Sequence, residues 1–183
     1  AEVQETETDL PNIYLFRDEM TSVQDQIYGD CTSHAADGVK EFQDSQEYDR
    51  EIKLSQRFIY HHIKRISEMW HTEGDFLRNG FKALQKYGAC LEETYPYVEK
   101  DDWKDYAKPE PPQEAKEEAK KFKIKEYWRV DANLDDIRSA IYKNEVPLGI
   151  SMGWYKSYYS EKDDGYLPVP GDNKYGGHAV SVV

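Results

Sequence analysis

The stretch Gln26-Ile27-Tyr28-Gly29-Asp30-Cys31-Thr32-Ser33-His34-Ala35-Ala36 does more than any other to limit the folds open to this chain. It reads as a turn that delivers one of only two cysteines to the first residue of a helix. Asp30 is placed to act as N-cap, accepting from backbone N–H groups of the first turn, and Ala35, Val39 and Phe42 continue as one apolar stripe. A thiol there faces unpaired N–H groups and the positive end of the helix dipole, which favour thiolate and suit a nucleophile. The same position also suits a small buried hydrophobe, the commonest use of a free cysteine.

Gly176-Gly177-His178-Ala179-Val180-Ser181-Val182-Val183 sets a histidine after two glycines and at the head of an alternating apolar strand. His178 lies 147 residues beyond Cys31. That falls in the known interval of roughly 130–150 residues between nucleophile and histidine in papain and the cathepsins.

On these residues the chain resembles the papain-like cysteine peptidases, in the branch without the usual disulfides. Matching stretches keep the family order: Leu10-Pro11 with Phe16-Arg17-Asp18, then Asp25-Gln26 with Gly29-Asp30-Cys31-Thr32, then Leu54-Ser55 with Phe58-Ile59-Tyr60. They continue through Lys86-Tyr87-Gly88, Glu92-Glu93-Thr94-Tyr95-Pro96-Tyr97, Pro147-Leu148-Gly149-Ile150 and Tyr155-Lys156-Ser157-Tyr158-Tyr159.

The resemblance implies an α+β papain-like two-lobe fold, with a helical lobe over residues 1–107 and a β lobe over 108–183. It implies Cys31 as nucleophile, His178 as acid and base, Gln26 as an oxyanion donor, and Gly74, Ser151, Gly177 and Ala179 beside the substrate. It depends on no cofactor or metal.

Three departures accompany it. Tyr28 stands where family members carry a first cysteine and Thr32 where they carry an aromatic residue, so that disulfide cannot form. The family's oxyanion glutamine precedes the nucleophile by six residues, whereas Gln26 precedes Cys31 by five and Gln24 by seven; Gln26 fits the local pattern if one loop residue is deleted. The family's histidine-orienting Asn has no counterpart, because five residues follow His178 and Asn173 precedes it in a loop. Ending at Val183 would leave Val180 and Val182 at an open apolar sheet edge. The expectation is therefore a front part of a longer polypeptide, with the last strands supplied by a C-terminal fragment or a second chain.

With 38% hydrophobic and 33% charged residues the chain reads as globular. Its formal charge of −12 argues against nucleic acid as a partner, since phosphate binding needs clustered Lys and Arg. No apolar run approaches the roughly 20 residues that span a bilayer, and no signal-peptide pattern is present. Cys31 and Cys90 read as thiols, because joining them would consume the nucleophile; Cys90 reads as a packed residue.

Along the chain, residues 1–9 are expected to be mobile and residues 10–26 extended. Residues 43–50 read as a loop. Ser55 caps a second helix bearing Phe58, Ile59, Ile63, Ile66, Met69 and Trp70. His61 and His62 point about 100° apart on that helix and do not form the i, i+4 pair of a chelate. Glu73-Gly74-Asp75 starts a third helix, buried through Phe76, Leu77, Phe81, Leu84 and Tyr87, which ends at Gly88; Gly74 is equally well explained as a plain helix start. Residues 98–121 read as a charged crossover with a short solvated helix, and residues 122–130 as an amphipathic strand. Asn133 with Asp136 caps a helix bearing Leu134, Ile137 and Ile141. Residues 146–152 form a strand, 153–177 a long loop and 180–183 a further strand. The function expected is a cysteine endopeptidase acting on an extended peptide through a thioester; the alternatives are a non-catalytic peptide- or protein-binding member of the fold and a thiol acyltransferase or transamidase.

Overall fold

In the computed structural model, residues 10–11, 13–159 and 166–183 are described; the expectation for residues 1–9 lies outside them, as does part of the loop expected at 153–177. Helix α1, Cys31–Tyr48, is the axis on which the rest packs. Its Ala35, Val39 and Phe42 are buried as expected, and Ala36 is buried with them. The helix nevertheless runs through most of the expected loop at 43–50. Asp44 pairs with Lys40 one turn back, Ser45 Oγ accepts from Ile52 N (2.9 Å), and Asp49 ends the helix in the left-handed conformation. Polar residues here carry buried pairs and caps, so polarity does not mark a loop.

Helix α2, Gln56–Ser67, starts at Ser55, whose Oγ accepts from Phe58 N (3.0 Å) and donates to Tyr95 O. Its Ile59 and Ile63 meet Ala36, Leu54, Ala83 and Leu84 in the main core. It stops at Glu68, left-handed with φ 58°, so Met69 and Trp70 lie beyond it. Helix α3, Leu77–Lys86, begins later than expected. Asp75 instead takes hydrogen bonds from Ser67 Oγ, Phe76 N and Asn79 Nδ2 and faces Lys64 Nζ, and Phe76 stays exposed. The exit matches the expectation: Gly88 has φ +80°, and a Cβ there would lie 1.9 Å from Ala119 O.

Helices α4 (Trp103–Ala107) and α5 (Gln113–Glu118) occupy the charged crossover, which was expected to hold one helix. Residues 123–133 form no strand, and Trp128 is 80% exposed. Alternation becomes a strand only against a pairing neighbour, and none of the described strands lies alongside this segment. Helix α6, Leu134–Asn144, is capped by Asn133 Oδ1 accepting from Asp136 N (2.9 Å) and buries Ile141.

Strands β1 (Leu148–Tyr155) and β2 (Lys174–Val182) pair antiparallel with Met152 opposite His178 and Ser151 opposite Ala179. His178 therefore sits mid-strand, because both strands reach into the expected 153–177 loop. A 3₁₀ turn, Lys156–Tyr159, follows β1, and another, Arg17–Glu19, interrupts the extended N-terminal run. Phe16, Phe42, Ile141, Leu148 and Val182 form the apolar seam that joins α1, α6 and the sheet in an α+β arrangement. Across that seam Ser181 Oγ donates to Ala35 O (3.1 Å).

Candidate active site

The turn before Cys31 is held from outside by side chains far along the sequence. Gly29 N donates to Glu73 Oε2 (2.7 Å), and a Cβ on Gly29 would come within 2.8 Å of Glu73 Cβ. Tyr97 hydroxyl oxygen accepts from Ile27 N (3.0 Å) and Tyr28 N (3.4 Å), while Tyr28 Oη is bonded to the backbone of Lys100.

Asp30 occupies the N-cap position, but its side chain makes no capping bond. It points into an aromatic enclosure, fully buried, where Oδ2 accepts from Tyr106 Oη (3.1 Å) and Oδ1 from Tyr97 Oη (3.4 Å). Two phenol donors outcompete the helix's own N–H groups. Burial raises the carboxyl to about 7 despite those bonds. His34, one turn on, brings Nε2 to 3.6 Å from Asp30 Oδ1. Burial, with the charge of His178 a lesser cause, lowers that imidazole to about 4. The contact is thus one between a neutral ring and a carboxyl, and it is no ion pair at neutral pH.

Cys31 is half-buried. Burial raises its thiol pKa and Asp30's charge adds to this, while the nearby backbone N–H groups, that of Ala179 first, pull the other way. The helix N-terminus does favour thiolate, as expected, but desolvation outweighs it and the resting group is a thiol. Ala179 is the residue after His178 on β2, the strand that bonds to helix α1 through Ser181 Oγ and Ala35 O.

The His178 ring is partly buried, packs edge-on against Trp154 at 4.7 Å, and has its pKa lowered by burial. Among the described residues no hydrogen bond links it to Cys31. A groove of about 440 Å³ brings together His34, His178, Ala179, Gln24 and Gln26. Gln26 Nε2 donates to Tyr28 O (2.6 Å), whereas Gln24 is engaged with Glu41 and Gln56. Ser151 and Gly177 lie exposed on neighbouring strands beside Ala179. Gly74 stands apart on the run into α3, with open space where a Cβ would be and its carbonyl held by Lys64 Nζ (2.8 Å).

His34, Tyr97, Tyr106 and Trp154 are the residues that sequence reasoning did not single out. The i, i+4 spacing of Asp30 and His34 was a usable signal for one of them. Elsewhere, Cys90 is fully buried, its thiol pushed up to about 12 by burial. His61 Nδ1 lies 2.9 Å from Ala107 O and His62 stacks on Tyr87, so the adjacent rings face different partners.

The chain is similar in sequence or fold to known proteins. A 28% identical relative, a peptidase C1-like protein of Acanthamoeba polyphaga mimivirus, matches 96% of this chain and 59% of its own length. Xylellain, a cysteine protease from Xylella fastidiosa, superposes with a TM-score of 0.71 at 26% identity, over 87% of this chain and 66% of its own. Procathepsin B S9 from Trypanosoma congolense gives 0.70 at 18% identity, over 99% and 65%. The chain thus spans about 59–66% of the length of these relatives. The model of the papain family cysteine proteases matches residues 10–183. A cysteine at the head of α1, a histidine on the strand that meets it, and a match over nearly the whole chain lead to one assignment: this chain belongs to the papain family of cysteine proteases.

Proposed function

We propose that the chain is a cysteine endopeptidase in which Cys31 attacks the scissile carbonyl of an extended peptide while His178 manages the protons. The observation that supports this is the packing of the histidine's strand on the helix that Cys31 heads, where Ser181 Oγ of β2 donates to Ala35 O of α1 (3.1 Å). With a neutral thiol and a neutral imidazole at rest, the thiol proton passes to His178 as substrate binds and the ring turns from Trp154. The thiolate forms the C–S bond, and the oxyanion is held by the Cys31 N–H and by Gln26 once its amide leaves Tyr28 O; losing one such donor costs roughly 10²–10³ in rate. His178 protonates the departing amine, leaving a thioester. Water, deprotonated by His178, then releases the acyl group and restores the thiol. Ser151, Gly177 and Ala179, on the strand pair beside His178, are assigned to the path of the peptide; Gly74, away from the groove on the run into α3, is assigned to it by the resemblance alone.

The test is a stoichiometric burst of product from an activated peptide ester, present in the native chain and abolished in Cys31→Ala; absence of a burst from the native chain overturns the proposal. One observation favours a second reading, a non-catalytic peptide binder: the His178 ring lies against Trp154 without a bond to the thiol. A peptidyl epoxide that binds but leaves Cys31 unlabelled would decide for that reading.

A further inference from the structure

A second recess, of about 330 Å³, shares no lining residue with the groove of His178. It lies between α2, the end of α3, and α5 with the turn after it. Five cationic side chains converge on it from these segments: Arg65, Lys86, Lys116, Lys120 and Lys123. Glu110 is the one carboxylate among the lining residues; it takes Lys116 Nζ at 2.7 Å and Arg65 Nη1 at 3.2 Å, and Lys120 is held by Glu117. Lys86 and Lys123 meet no carboxylate within ion-pair distance among the described residues. In a chain of net charge −12 this is a strongly positive spot with two uncompensated ammonium groups.

Its wall supplies a second, independent sign. His62, 2% exposed, lines the recess with its ring stacked on Tyr87 (4.0 Å, 10°). Neither of its ring nitrogens has a hydrogen-bond partner among the described residues. Buried polar atoms are rarely left unpaired, and the N–H of this neutral ring lacks an acceptor.

We propose that this recess binds a condensed phosphate anion, a triphosphate chain either free or carried by a nucleotide. Lys86, Lys123, Lys116 and Arg65 donate charge-assisted bonds to its oxygens, and a small shift of the His62 ring gives its N–H the acceptor it lacks. Burial, then the charges of His61, Arg65 and Lys116, hold His62 at about 3, and Glu110 opposes them weakly. A bound polyanion moves it upward.

The experiment is calorimetric titration of the full chain with sodium tripolyphosphate and, separately, ATP, at near-physiological ionic strength. Saturable binding is expected, weakened about tenfold or more in Lys86→Gln/Lys123→Gln, which breaks no ion pair, and unchanged in Lys143→Gln, an exposed lysine on α6. His62 imidazole NMR signals are expected to shift on saturation. Tighter binding of ATP identifies a nucleotide as the source, and equal binding the phosphate chain alone. Absence of saturable binding, equal affinity in the double variant, equal loss in Lys143→Gln, or unmoved His62 signals would each overturn the proposal.

Discussion

At Asp30 a carboxyl is sealed from water one residue before the thiol, and this sets two measurable pH effects. The folded chain holds its proton up to about pH 7, while an unfolded chain releases it near 3.8. Between those values the folded state binds more protons at this group, so, against the opposite trend from the lowered His34 and His62, the Asp30 contribution to stability falls as pH rises from about 4 to about 7 and then levels off. Asp30→Asn removes that slope and is expected to be more stable at pH 8 by up to about 4 kcal/mol, read from urea denaturation at pH 5 and pH 8. Above pH 7 the Asp30 charge also opposes the thiolate. The same variant is therefore expected to lower the Cys31 pKa, seen as faster alkylation in a pH series; an unchanged or raised value would contradict this. Cys31 and Asp30 were both legible as the head of a helix. The direction of the Asp30 side chain was not, because the hydroxyls that capture it come from Tyr97 and Tyr106, 67 and 76 residues away.

Among the elements, those with local punctuation were legible. Ser55, Asn133 and Gly88 each act within a few residues of their own position, and the helices they bound start or stop where the sequence says. The misread segments depend on distant partners: residues 43–48 are helical through buried pairs, and residues 122–130 lack a strand to pair with. Gly88 offers the sharpest check. Gly88→Ala forces a side chain onto φ +80° and into the Ala119 carbonyl. It is expected to cost more than the roughly 1–2 kcal/mol of left-handed strain alone, measured as a drop in thermal midpoint. Because Gly88 packs on the turn after α5, the loss should also loosen the crossover helices, visible as faster amide exchange there.

For the whole molecule, α1 packs on β2 and α3 approaches β1 through Phe81 and Leu77 beside Gly149, and Cys31 and His178 stand on two of these elements. The order of motifs made the fold class readable and pointed to Cys31 and His178, which stand on α1 and β2. The rotation of the His178 ring toward Trp154 was not, since it depends on packing across the β1–β2 pair. Gly38 approaches Ser181 so closely that a Cβ built on it would stand 3.9 Å from Ser181 Cβ, near the roughly 3.8 Å typical of cystine bridges. Replacing both with cysteine should therefore staple the nucleophile's helix to the histidine's strand across 143 positions of sequence. Loop-closure entropy puts the gain at about 5 kcal/mol, reversed by dithiothreitol in a melting experiment. If the oxidised form still turns over substrate, helix and strand work as one rigid piece; if it stalls until reduced, the two must slide past each other during every catalytic cycle.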